Sequence, residues 1–250
     1  MTHFTSITYQ KKREILSFSD KISRHLPRLD KKFSADMTYG ILASKSCLLT
    51  DISEQLHENS KKVNTVERLT RHLDKGVPPA ALQSYLSMIR STAPSDPVIF
   101  IDDSDIVEPG GKRCESLGLV RDGSKSSDSK NVYEKGYHVT EACVLTKSGH
   151  PVSIFPQVHS SKEQNFTSVN DITFRATDTG RSLFGKTTFV IDRGYDGNKM
   201  FLKLDSLGQD YVIRLTARRK LLFRNKWIPV TELRNRRKGK IRTSFFYKGN

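Results

Sequence analysis

Two stretches combine carboxylates with strand-forming residues: "VIFIDDSD" over Val98–Asp105 and "TFVIDRGYD" over Thr188–Asp196. Each is a short apolar run that reaches Ile-Asp, with a further Asp just beyond. A carboxylate at the end of a buried strand is held on a rigid element at the rim of a sheet. Two such strands side by side bring their carboxylates close, where like charges repel and one takes up a proton. A divalent cation removes that conflict. Mg2+ accepts one or two carboxylates and fills its remaining positions with water and phosphate oxygens. Two such ions about 4 Å apart activate water on one side of a phosphodiester and stabilise the leaving oxygen on the other. The candidate ligands are Asp192 and either Asp102 or Asp103. Pleating admits one of those neighbours, because adjacent side chains point to opposite faces. Asp is common where strands run into turns, so neither stretch is decisive alone. Their joint occurrence carries the argument.

The elements around the acids predict a mixed order. Ser95-Asp96-Pro97 is a turn signal, and Val98–Ile101 reads as a strand buried on both faces. A polar, turn-rich stretch follows, and then "YHVTEACVLT" and "PVSIFPQVHS" flank Lys147-Ser148-Gly149-His150 as a hairpin. A helix-compatible stretch lies around "SKEQNFTSVNDITFRATD". "KTTFVID" is the next strand, and "GNKMFLKLDSLG" a helix with Met200, Phe201 and Leu204 on one side and Gly208 past its end. The order is strand, strand, strand, helix, strand, helix. "DYVIRLTARRKLLF" then reads as a strand, and "KWIPVTELRNRRKGKIRTSFFY" as hairpin material with a basic face, which puts Glu232 in a strand-like setting.

Residues 1–95 read as helical. Ile15, Phe18, Ile22 and Leu26 recur at helical spacing. Thr50 is placed to cap one short helix with Ile52 and Leu56 inward. Asn64 is placed to cap another with Val66, Leu69 and Leu73 inward and Arg68, Arg71 and His72 outward. Leu82, Tyr85, Leu86 and Ile89 mark a further helix. Two short helices around a polar turn, with basic residues outward, suit a DNA groove.

The formal net charge is +15, and its distribution is uneven. Residues 1–95 carry +6, residues 96–205 carry −2 and residues 206–250 carry +11. A polyanion is drawn to the flanks, and a cation suits the acidic middle. Arg218, Arg219, Lys220, Arg236, Arg237 and Lys238 supply the density that phosphate backbones need. Trp227, the lone tryptophan, suits packing or stacking on a base. No stretch approaches the ~18 apolar residues of a membrane span, and no signal-peptide pattern begins the chain. Cys47, Cys114 and Cys143 form no CxxC pair, which argues against a disulfide framework or zinc site. His138, His150 and His159 lack metal-ligand spacing and read as structural or exposed. A reduced, cytoplasmic protein is expected.

"FIDDSDI", followed about ninety residues later by "FVIDRGYDGNKMFLKL" and "DYVIRL", resembles the DDE transposases of bacterial insertion sequences, in their IS-four-like group. "LLTDISEQLHENSKKVNTVERLTRHL" is similar to that group's N-terminal DNA-binding region. The resemblance implies an α/β fold: a ribonuclease H-like core over residues 96–210, a helical DNA-binding region over 1–95 and the start of a basic, β-rich insertion over 211–250. It implies cutting and rejoining of double-stranded DNA at element ends with Mg2+ or Mn2+, usually as a homodimer, in the cytoplasm at the nucleoid and away from any membrane. Asp192 matches the family's second acid. Asp102 is favoured over Asp103 as the first, because Ser104 then falls two places later, where the family often has Thr or Ser. Arg193 is placed beside the metal to meet a phosphate, or else pairs with Asp196.

The family's third acid, a Glu within Tyr-x-x-Arg-x-x-x-Glu, has no counterpart in the sequence. The expectation is a truncated product with little or no strand-transfer activity. A DNA-binding protein without catalysis, acting as a transposition inhibitor, is the competing reading. Asp103-Ser104-Asp105 also fits the Asp-x-Asp of aspartate-nucleophile phosphatases, but those continue into a helix and a parallel strand rather than a polar loop and hairpin.

Overall fold

The computed structural model describes residues 2–127 and 129–237. The chain divides into two compact units, one up to Ser91 and the other from Thr92.

The first unit is helical: α1 Thr2–Ser23, α2 Arg28–Ser44, α3 Leu49–Leu56, α4 Lys62–Leu73 and α5 Pro79–Thr92. Ile52 and Leu69 are fully buried, and Leu26 and Ile89 nearly so. Thr65 shares the buried stripe of α4 with Leu69, while Leu73 and Leu82 are exposed, contrary to the expected inward sets. Neither proposed cap is used. Leu48 and Lys61 occupy the N-cap positions without a side-chain hydrogen bond, which leaves Asn64 inside α4. Gly40 of α2 lets Ile52 approach, since a Cβ there would overlap Ile52 Cγ2.

The second unit is mixed α/β. Its sheet runs β2-β3-β1-β5-β6, with β4 also pairing β3. The strands are β1 Val98–Val107, β2 Gly118–Arg121, β3 Tyr133–Leu145, β4 Pro151–His159, β5 Thr188–Ile191 and β6 Asp210–Ile213. The β3–β4 hairpin is antiparallel and turns through Gly149 at φ 80°. β1 is antiparallel to β3 and parallel to β5, and β5 is parallel to β6. Parallel neighbours need a crossover. Helix α7, Asn198–Ser206, provides it between β5 and β6, and α6, Val169–Phe184, precedes β5. Ser168 caps α6 by accepting from the Asp171 N–H at 3.2 Å.

Alternation decides which face is buried. Ile99, Ile101, Ala142, Val144, Phe189 and Ile191 form the core face, against Ile172, Ala176 and Gly180 of α6. α7 turns Met200, Phe201 and Leu204 inward, and Phe201 stacks on Tyr211 with centroids 5.9 Å apart. Tyr211 pairs with Phe189, so α6 and α7 cover the same side. The opposite side keeps Phe100 39% and Val212 60% exposed. The expectation of a β1 buried on both faces is therefore corrected, among the described residues, to one buried face. β1 also does not stop at its first carboxylate but continues to Val107, because β3 extends far enough to pair with it throughout.

Beyond β6 the chain forms a second, two-stranded sheet, β7 Lys220–Phe223 and β8 Lys226–Pro229, closed by Arg224 and Asn225 at φ 51° and 60°. Two consecutive positive φ values make the tight turn that matches strand twist. Helix α8, Val230–Arg237, follows where strand was expected, and Glu232 lies in its first turn.

Gly136 allows β1 and β3 to cross closely: a Cβ there would overlap the backbone oxygen of Ile106. A backbone atom cannot rotate away. Gly136→Ala is expected to cost about 2–3 kcal/mol through forced strand displacement. Thermal unfolding of the second unit should fall by roughly 5–10 °C, and an unchanged transition would contradict the close approach.

Candidate metal and nucleic-acid site

The parallel register between β1 and β5 runs from Val98↔Thr188 to Ile101↔Ile191. Asp102 and Asp192 are the next residues on each strand, so they leave the last rung of one ladder side by side. Ile101 and Ile191 both face the core. Asp192 stays extended at φ −73° and ψ 170°, and it follows Ile191 at the same edge at which Asp102 follows Ile101. Both residues are exposed. Asp102 Oδ1 accepts the backbone N–H of Asp103 at 3.0 Å, which orients the carboxylate.

Asp103 is exposed as well, and its Oδ1 accepts from the buried Thr140 hydroxyl at 2.6 Å, across the β1–β3 ladder. Thr140 is fully buried and lies 3.0 Å from His159 Nε2. A hydroxyl has one proton and the carboxylate only accepts. Thr140 therefore donates to Asp103 and accepts from Nε2–H of His159, which fixes the histidine tautomer. His159 is 1% exposed, and its Nδ1 has no partner. Burial, then the neighbouring His138, holds its pKa below the ordinary histidine value. A proton on Nδ1 would find no acceptor. One rung further along, His138 Nδ1 meets Asp105 Oδ1 at 2.6 Å, and its ring stacks on His159. Cys143, on β3, donates to Glu141 at 3.4 Å. Burial, then that carboxylate, raises its thiol to about 11, which keeps it protonated.

After Asp192 the chain makes a short 3-10 turn, Arg193–Tyr195. The Tyr195 hydroxyl is buried without a well-formed hydrogen bond, facing Asp103 and Thr173. Burial, then the Asp103 carboxylate, holds the phenol far above its ordinary range, so it stays protonated. Asp196 ends the turn with a side chain 1% exposed. It forms an ion pair with Arg219 Nε and accepts the Thr216 N–H and hydroxyl at 2.7 and 2.8 Å. Arg219 also donates to Asn198 at 3.1 Å and to the Asp196 carbonyl at 3.0 Å, and lies over the Phe201 ring.

The basic candidates thus separate. Arg219 holds the turn after Asp192 together, with its guanidinium committed to Asp196 and Asn198. It also takes Asp196, the acid considered as a partner for Arg193. Arg193, Arg218 and Lys220 are exposed. In the first unit, Arg68 turns inward, to Asp36 at 2.7 Å and Glu58 at 3.0 Å, and His72 stacks on Phe33 at 5.0 Å. Those two therefore leave the outward set, and Arg71, with a side chain 74% exposed, remains in it. Arg236 and Arg237 fall in α8, and Lys238 lies outside the described residues. Trp227 is 44% exposed on β8.

Among the described residues, no three His, Cys, Asp or Glu side chains converge on a metal position. The Asp102–Asp192 pair supplies two hard oxygen donors, a number that suits Mg2+ completed by water and phosphate. Thr140, His159 and Tyr195 escaped the sequence reading as parts of the site. Their signal is cross-strand register, which residue spacing does not carry.

The sequence profile of the transposase DDE domain matches residues 93–248, and the chain belongs to that family. No curated protein matches the chain. Membership makes it a transposase by class, acting on DNA, and such domains generally use divalent metal ions. No described helix is long and apolar enough to cross a membrane.

Glu58 anchors the ion-pair cluster that holds Arg68. It accepts from Lys32 at 2.5 Å, Thr65 at 2.9 Å and Arg68 at 3.0 Å. The Lys32 hydrogen bond is the largest cause that lowers its pKa from 4.5 to about 2. A depressed carboxylate stabilises the fold fully above its unfolded value and loses that contribution as pH falls toward the folded value. Glu58→Gln is expected to destabilise the first unit by roughly 1 kcal/mol at neutral pH and to flatten its stability loss between pH 4.5 and about 2. Acid unfolding curves identical to wild type would contradict this.

Proposed function

We propose that this chain is a transposase of the IS-four-like group, a class that cleaves and joins DNA at the ends of an insertion sequence, and that residues 1–250 supply two of the three acids this chemistry uses, so that they carry little or no strand-transfer activity by themselves. Its second unit acts as a ribonuclease H-like core that holds Mg2+ or Mn2+ through Asp102 and Asp192. The observation that carries this reading is the parallel ladder ending at Ile101↔Ile191, after which Asp102 and Asp192 are the next residues at one edge of the sheet. The sheet order β3-β1-β5-β6 with α6 and α7 supports the core assignment. Asp102 is preferred over Asp103, because pleating turns Asp103 away from Asp192 and Thr140 already engages it.

When bound, the metal supplies charge neutralisation and an activated water at the phosphodiester. The residues of the chain orient and bind. The Asp103 N–H aims the Asp102 carboxylate. The exposed Arg193 follows Asp192 directly and suits a phosphate beside the metal. Arg218, Lys220, Arg236, Arg237 and Lys238 form the basic segment for phosphate backbone, and Arg71 reaches phosphate from the helical unit. Such interactions set affinity and orientation rather than sequence preference.

Calorimetric titration of Mn2+ tests the metal site. Wild type should bind, and Asp102→Ala and Asp192→Ala should each weaken binding at least about tenfold, a level that supporting residues alone can reach. Equal binding by all three, or none by any, would end the assignment. Neutralising Arg236, Arg237 and Lys238 together should weaken DNA binding and lower the slope of log affinity against log salt by up to about 2–3, at roughly 0.9 for each phosphate that is no longer neutralised. An unchanged slope would remove the phosphate role of this segment.

A further inference from the structure

The backbone ladder that joins the two acid-bearing strands stops at Ile101↔Ile191, one residue before the acids themselves. From Asp102 onward, β1 is held by β3 on one side, through Asp102↔Glu141, Asp103↔Thr140 and the rungs beyond. The turn after Asp192 is held on its far side, through Arg214 N–H to the Ile191 carbonyl and through Thr216 and Arg219 to Asp196. Asp103 reaches from β1 to Thr140 on the neighbouring β3. From the turn, the buried Tyr195 hydroxyl, which has no hydrogen-bond partner among the described residues, lies near Asp103. Thr140 is in turn fixed by His159 on β4, where the ring packs against Phe166. A fully buried hydroxyl with both its donor and acceptor functions engaged has one allowed rotamer, so Asp103 receives its hydrogen bond from a fixed point.

We infer that Asp103 is a positioning residue rather than a metal ligand, and that with Thr140, His159 and Tyr195 it sets the spacing at which Asp102 and Asp192 close on one cation. This rests on the two-carboxylate reading above. Thr140 and His159 are buried, and the Asp103 that they hold is exposed, as Asp102 and Asp192 are. The network acts through the backbone of β1 and of the Asp192 turn. It also explains two adjacent acids in one strand: pleating gives one to the cation and the other to the frame.

The test is Mn2+ calorimetry on the full chain, with thermal unfolding of each variant as the control for folding. Thr140→Val removes the hydroxyl at nearly constant volume and should weaken Mn2+ binding about tenfold, within the range of outer-shell losses, while the protein still unfolds cooperatively at a temperature lowered by the buried hydrogen bonds lost. Thr140→Ser should restore affinity to within about threefold. Asp103→Asn keeps an acceptor for Thr140 and should also bind within about threefold, whereas Asp102→Asn should lose binding. Tyr195→Phe gives a second arm, independent of Thr140, and should weaken binding several-fold. Binding by Thr140→Val and Tyr195→Phe equal to wild type would overturn the positioning role while leaving the metal site intact. Loss of binding in Asp103→Asn with retention in Asp102→Asn would make Asp103 the ligand and overturn the inference. Absence of Mn2+ binding by wild type would overturn both readings.

Discussion

The proposed site requires two carboxylates at one rim of a sheet, and the parallel pairing of β1 with β5 meets that requirement. Antiparallel neighbours would send the strand ends in opposite directions, whereas parallel neighbours deliver both ends to one edge. Both groups are exposed, and one accepts a backbone N–H. The fold supplies rigidity through the buried rungs Ile99↔Phe189 and Ile101↔Ile191.

The charge pattern follows the same division. Acids gather in the stretch that forms the sheet unit and bases in the flanks, a division that suits a cation in the first and phosphates in the second. The structure refines that division residue by residue. A basic side chain beside an acidic one is as readily a brace as a ligand, and burial separates the two cases. Arg219 and Arg68 are braces, committed to Asp196 and to Asp36 and Glu58. Arg193, Arg218 and Lys220 remain open to solvent.

Much of the second unit was legible in the sequence because its signals are local. The Gly149 turn marks the β3–β4 hairpin, and Met200, Phe201 and Leu204 mark the buried stripe of α7. β2 was not legible: Gly118–Arg121 is four residues inside a turn-rich stretch, and it becomes a strand only because β3 offers an edge. α8 was misread because "VTELRNRR" has no apolar period to set helix against strand. The caps of α3 and α4 failed for another reason. Their helices begin at positions set by packing of Ile52 and Leu69, not at the best capping residue. At the site, the two acids were visible because strand pattern and charge coincide there. Thr140 was invisible, because a threonine in a strand is ordinary until the opposite strand places an aspartate against it.

The Asp196–Arg219 pair closes a loop that contains α7 and β6. Chain segments tied at both ends tend to open and close as one cooperative block. The turn that carries Asp192 is therefore mechanically continuous with the chain leading into the β7–β8 hairpin. Arg219 directly precedes β7, so a buried ion pair ties the turn after Asp192 to the base of that hairpin.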